Sequence, residues 1–254
     1  MKEQFEITGR LFTYIVRYDA GTAPNPDHGM CSLAICKPSI RRVAAPGDWV
    51  VGLAPASKNN RLVYCMKVDE KISWKDYIVA CNQGKGIPAG FRSDALKKRV
   101  PRRKTDLGDC IWKDAAVKSE PRPTASNHGI DDFETDVING ESVLLSKNFY
   151  YFGGGSKFNI LLNSRLAAIT PGRGHRSDAN NAYRAEFCVW FQEVLRKHGI
   201  ERPGKYGAPE LRRDQVDDEV RRSCRRAERE EDELESSFDS ASSSDALSQR
   251  TCGS

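Results

Sequence analysis

The segment "GRGHR", Gly172 to Arg176, places two glycines, two arginines and a histidine directly before a stretch with helical periodicity. Glycine on both sides of Arg173 lets the backbone turn sharply and approach a ligand. The amides and dipole of the following helix favour an anion there. Arg173, His175 and Arg176 therefore form a candidate phosphate or carboxylate site. The spacing is neither a Walker loop nor a dinucleotide fingerprint. The same residues also suit a glycine-rich turn with a capping histidine.

A second constellation is "RYDAGTAPNPDHG", residues 17–29, which follows the apolar run "FTYIV". Two or three residues suffice to reverse a chain, so a longer loop on rigid ends is a place to present side chains. Arg17, Asp19 and Asn25 are expected to form one wall of a nucleotide-sized pocket, with Gly21 and the prolines fixing backbone shape. In "CKPSIRR", Lys37, Arg41 and Arg42 fall within six residues. Grouped cations release the counterions of a polyanion, and arginine can grip two phosphate oxygens. In "GDWVVGLA" two readings stand: Asp48 closes a turn and Trp49 joins the core, or Trp49 lines a base-stacking pocket, as Trp112 could.

For proton transfer near neutral pH, histidine is the natural group. Asp19, His28, His128, Asp131 and His175 are residues of the right type, and an enzymatic reading gathers Asp19, His175 and Arg173 around a pocket. His128 also counts among the residues that could contact a ligand. His28, Cys31 and Cys36 give H-x2-C-x4-C without a fourth ligand at a zinc-like interval, so neither a metal nor another cofactor is expected. The nucleophile elbow Gly-x-Ser-x-Gly is also missing.

These residues need elements to hold them. Short runs rich in Val, Ile, Tyr, Phe and Trp predict strands at "LFTYIVRY", "CSLAIC", "DWVVGLA", "RLVYCMKV", "DCIWK", "ESVLLS" and "FYYFGG". The stretch "CSLAICKPSIRRVAAPGD" reads as a strand and turn or as a short helix ending before Pro46. Ser73, Asp76 and Gly84 bracket a capped helix over "SWKDYIVACNQG". Residues 85–106, rich in Lys and Arg and holding two prolines, predict a mobile basic loop, and residues 115–140 a second polar loop. Tyr183, Phe187, Trp190, Phe191, Val194 and Leu195 recur at helical spacing between a cap at Ser177 or Asp178 and a stop at Gly199. That helix should pack on a sheet. The fold class is α+β, mainly β.

The 254-residue chain divides by composition into a domain over 1–207 and a charged, Ser-rich tail over 208–254, expected to be disordered. The tail holds 13 acidic and 8 basic residues, leaving 32 basic and 22 acidic in the domain. A basic body with an acidic appendage fits a polyanion-binding domain. The first ten residues lack the apolar core of a leader, and no run reaches the roughly 18 apolar residues of a membrane span. The eight cysteines are expected to be reduced thiols in a cytoplasm.

The blocks "YIVRYDAGTAPNP", "CSLAICKPSIRR", "GDWVVGLA", "LVYCMKV", "VLLSKNFYYFGG" and "GRGHR", in this order, resemble the nucleotide modification associated domain, type 2, of bacteria and their phages. The resemblance covers roughly residues 10–200 and implies a setting in DNA base modification rather than a reaction. The order of elements around "GDWVVGLA" is also similar to PUA-like domains of the EVE and ASCH type. That resemblance implies an open barrel or strongly bent sheet, with a C-terminal packing helix, cupping a base. Three functions follow: a module recognising a nucleotide or modified base, with nucleic acid, DNA before RNA, as partner; an enzyme acting on such a base; or a scaffold whose acidic tail recruits a partner.

Overall fold

Alternation along the first strand, β1 (Leu11–Ile15), sends Leu11 and Ile15 to one face and Phe12, Tyr14 and the following Val16 to the other. Both faces are apolar, so the strand requires cover on two sides. The computed structural model, which describes residues 5–103, 106–112, 132–155, 158–172 and 174–211, supplies it as four layers. A mixed sheet is built from β1, β3 (Trp49–Leu53), β4 (Leu62–Lys67), β7 (Phe149–Tyr151), β8 (His175–Arg176) and β9 (Gly204–Lys205). Its order is β8-β1-β3-β4-β7-β9. A smaller antiparallel sheet has the order β2-β6-β5, from β2 (Cys31–Leu33), β5 (Glu70–Ser73) and β6 (Ser142–Ser146).

The late helix, α4 (Arg184–Lys197), buries Phe187, Trp190 and Phe191 with Leu11, Trp49, Val51 and Phe152 on one face of the larger sheet. On its other face, Phe12, Tyr14, Val50, Tyr64 and Tyr151 meet Cys31, Leu33 and Leu144 of the smaller sheet and Ile40 of α1 (Pro38–Val43). The far side of the smaller sheet, through Val143 and Leu145, packs with Trp74 and Tyr77 of α2 (Trp74–Gln83) and Ala95 and Leu96 of α3 (Ser93–Lys97).

Local signals explain much of this. Ser73 Oγ accepts the amide of Asp76 at 3.1 Å and donates to its carboxylate at 2.7 Å, and Gly84 closes α2 with φ 66°. The ambiguous stretch after Cys31 holds both forms, β2 and then α1, which stops at Val43. The late helix begins as a 3-10 turn over Asp178–Tyr183 before α4, and Gly199 follows it with φ 64°.

Three expectations are corrected. The basic stretch 85–106 contains α3, whose Ala95 and Leu96 are buried, and Arg99 has no exposed surface. Of "DCIWK", the described residues Asp109 to Trp112 are buried and belong to no strand of either sheet, Trp112 making a single β-bridge. The polar loop expected over 115–140 holds a helical segment, Glu134–Asn139, in which Asp136 and Val137 are buried, residues 115–131 lying outside the described residues. The α+β class with dominant sheets stands, and among the described residues the larger sheet does not close into a barrel, β8 and β9 being its two ends. The six described cysteines are free thiols.

Candidate functional site

β3 runs parallel to β1, β4 antiparallel to β3, β7 antiparallel to β4 and β9 parallel to β7. The strands β1, β3, β7 and β9 therefore finish at one end of the sheet, and the segments 16–30, 54–61, 152–160 and 206–211 leave from it. Backbone bonds lace them together: Val16 N–H donates to Leu53 O at 2.7 Å, Ala54 to Arg61 O at 2.8 Å and Tyr206 to Tyr151 O at 2.8 Å.

Asp19 is the clasp of this end. It is 1% exposed, and its Oδ2 accepts both the Tyr151 hydroxyl and the Gly154 amide at 2.6 Å, while Oδ1 accepts the Gly21 amide at 3.1 Å. Burial pushes its carboxyl above the ordinary range, and these three donors oppose that push. Burial, and then the neighbouring carboxylate, drives the Tyr151 phenol far up.

A strap, residues 208–211, lies across the clasp: the amides of Glu210 and Leu211 donate to Asp19 O at 2.9 and 3.0 Å, and Gly155 donates to Ala208 O at 3.3 Å. The run Gly153–Gly155 makes room for it. A methyl group at Gly154 would stand 2.8 Å from Asp19 Cβ, and one at Gly155 2.5 Å from Pro209 O. Glu210 also forms an ion pair with Lys58, and Arg61 donates to Gly154 O.

The second half of the 17–29 loop is fixed from inside by Arg99. Its guanidinium donates to Asn25 O and Ser32 Oγ at 3.0 Å and to Asp27 O and Met30 O at 2.7 Å. The Ser32 hydroxyl donates in turn to Asp109 Oδ2, and Tyr77 donates to Asp109 Oδ1 at 2.6 Å. Asp109 is wholly buried, which raises its carboxyl, and the Arg99 charge is the largest opposing influence. Outside this network Asp27 pairs with Lys205 at 2.6 Å.

The residues singled out in the sequence scatter over this frame. Arg17 is exposed, but Asp19 and Asn25 turn inward: Asn25 donates to Leu107 O and accepts the Asp27 amide at 3.2 Å. The three do not form one outward wall. Lys37 is half-buried in a left-handed conformation with φ 47°, and its ammonium stands 5.2 Å from the Tyr14 ring centre. Arg41 departs from the expected polyanion surface. It is wholly buried and donates to Cys36 O at 2.6 Å and Ser142 O at 2.8 Å, while exposed Arg42 donates to Asn139 O at 3.1 Å.

Trp49 and Trp112 sit in the core rather than on open pocket walls. Trp49 is 4% exposed, packs edge-on to Phe5 with ring centres 4.5 Å apart, and pairs with Leu11 at the end of β1 remote from the loop. Trp112 is 1% exposed and donates to Asp136 Oδ2 at 3.1 Å. Asp48 accepts the Ala45 amide at 2.9 Å and the Arg10 guanidinium at 2.7 Å, which is the structural reading of "GD". His175 pairs with Tyr14 at the β1 edge, its ring 5.8 Å from that of Phe12, and Arg176 donates to Ala168 O at 2.7 Å. Arg173, His128 and Asp131 lie outside the described residues.

Sequence reasoning missed Tyr18, Lys58, Arg61 and Lys205 at this end. Tyr18 is 37% exposed beside Arg17. Its position between an outward arginine and an inward aspartate in "RYD" is the one signal that could have marked it. Among the described residues no group of three His, Cys, Asp or Glu could hold a metal ion, and no helix is long and apolar enough to cross a membrane.

No curated protein and no solved structure matches the chain. A family model described as nucleotide modification associated domain 2 matches residues 8–210, a span that takes in both sheets and the candidate end as far as Glu210 of the strap. That match covers well over half the sequence, and the chain belongs to the nucleotide modification associated domain 2 family.

Proposed function

We propose that the protein recognises a nucleotide or modified base at the end of the larger sheet where β1, β3, β7 and β9 finish. The observation that carries this reading is the pairing of exposed Arg17 and Tyr18 on a loop immobilised directly behind them by the Asp19 clasp. A phenol ring offers a face on which any base can stack, and the guanidinium of the preceding residue offers bidentate donors to a phosphate. Arg61, whose guanidinium donates to the neutral Gly154 O, adds positive charge at the same end, whereas Lys58 and Lys205 are offset by Glu210 and Asp27. The family's association with nucleotide modification supplies the ligand class. The enzymatic alternative loses its expected base, because the Asp19 oxygens already accept three donors from the fold.

The test is equilibrium binding of nucleoside monophosphates, with and without base modifications, to the wild type and to Tyr18→Ala and Arg17→Ala. Loss of one stacked base costs about 1–3 kcal/mol, roughly a 5- to 150-fold rise in Kd. Unchanged affinity in both variants would sink the assignment.

A further inference from the structure

The surface next to the candidate end carries an unbalanced tract of positive charge. Lys85, Lys97, Lys98 and Arg102 are exposed, and among the described residues none of them forms an ion pair, Lys98 only feeling the charge of Asp94 through space. The acids of this stretch are occupied: Asp94 pairs with Arg92 at 2.6 Å, and Asp106 accepts the amides of Arg102 and Arg103 at 2.9 and 3.0 Å. Lys97 and Lys85, apart in the sequence, are brought to one turn. The Lys97 side chain lies over the turn that ends α2, its Cε 3.2 Å from where a methyl group on Gly84 would stand, next to Lys85. The tract is also rigidly joined to the candidate end. Arg99, between Lys98 and the Pro101 turn, is buried and donates to Asp27 O and Met30 O of the 17–30 loop. The chain thus alternates outward cations at 97, 98 and 102 with inward anchors at 96 and 99.

We propose that this face carries the phosphate backbone of duplex DNA, beside the end at which a base or nucleotide is read. The second half of that statement rests on the function proposed above; the first does not. Lysine and arginine on an exposed face meet phosphates without the desolvation cost of a buried pair, and each phosphate so neutralised releases a condensed counterion. Against acidic protein partners, the domain's excess of 32 basic over 22 acidic residues extends beyond this face and suits a long polyanion.

The experiment uses the full chain and a 20-base-pair duplex, with Kd measured by fluorescence anisotropy across a series of salt concentrations, and binding of a nucleoside monophosphate measured in parallel. Lys97→Glu/Lys98→Glu/Arg102→Glu should lower the magnitude of the log Kd against log salt slope by about 2–3, near 0.9 for each phosphate that is no longer neutralised. Affinity for the duplex should fall at least about tenfold at the lowest salt, where the electrostatic contribution is greatest. The neutral Gln triple variant should fall between, and thermal melting of both variants shows that the fold is kept. Mononucleotide binding should not change. A slope like the wild type's in the Glu variant overturns the tract, as does an equal loss of mononucleotide affinity. A wild type that binds no duplex overturns it too. If the slope changes as expected while the wild type binds no mononucleotide, the tract stands and the base-reading end falls.

Discussion

Replacing Arg99 by methionine keeps the length of the side chain and deletes every donor. Four hydrogen bonds vanish, to Asn25 O, Ser32 Oγ, Asp27 O and Met30 O, all of 3.0 Å or less. Three carbonyls in the loop lose a donor, and the buried Asp109 carboxylate loses the cation that most opposes its desolvation. An orphaned buried acceptor costs about 1–3 kcal/mol, and removing one member of a buried charged pair about 3–5 kcal/mol. The two costs overlap here, because Ser32 links guanidinium and carboxylate. About 3–5 kcal/mol in total is therefore expected, a large share of the roughly 5–15 kcal/mol that holds a domain folded. Urea unfolding followed by the fluorescence of the buried tryptophans reads it directly. With an m-value of about 2 kcal/mol/M, the midpoint should fall by roughly 1.5–2.5 M. Arg99→Met/Asp109→Asn should lose less than the sum of its parts by about 1–3 kcal/mol, since the double variant no longer strands a charge. A midpoint shift below roughly 0.5 M, or strict additivity, would refute the clamp.

Three further outcomes follow from the same groups. Tyr151→Phe removes a 2.6 Å donor from Asp19 and should cost about 1–3 kcal/mol while moving the Asp19 carboxyl still higher, visible in a carboxyl NMR titration. Gly154→Ala brings a methyl group to 2.8 Å from Asp19 Cβ and should release the strap, seen as faster hydrogen exchange at the Glu210 and Leu211 amides with the sheet protected as before. The folded carboxyl of Asp109 is raised above its ordinary value of 3.8, so it holds a proton where the unfolded chain has lost one. Its contribution is full below 3.8 and disappears as pH rises through the folded value, so Asp109→Asn should compare more favourably with the wild type at about pH 7 than at about pH 3.5.

The elements that could be read from the chain were those whose signal is local. The Ser73, Asp76 and Gly84 pattern marks α2, and short runs of β-branched and aromatic residues mark β1, β3, β4 and β7, because capping and strand propensity are decided within a few residues. β5, "EKIS", has no fully buried residue and thus no apolar alternation to betray it. Arg99 and Arg41 read as solvated cations, because the carbonyls that receive them come from segments distant in sequence, up to 101 residues away for Arg41. In the loop 17–29 the polar residues divide differently from expectation. Asp19 and Asn25 serve its own hydrogen bonds, and the outward pair is Arg17 and Tyr18. Trp49 followed the simpler of its two readings, since a tryptophan that opens a doubly covered strand has nowhere to go but the core.

The strap has a consequence beyond packing. By donating from Glu210 and Leu211 to Asp19 O, it joins positions far apart in the sequence, so the candidate end is completed only when the chain has returned to its own beginning. A chain made from its N-terminus forward carries the 17–30 loop long before the donors that close it, and such distant contacts form late. Cutting the chain before Ala208 should leave both sheets intact, since β9 precedes the cut, while hydrogen exchange quickens at the Gly21 and Gly154 amides that Asp19 holds.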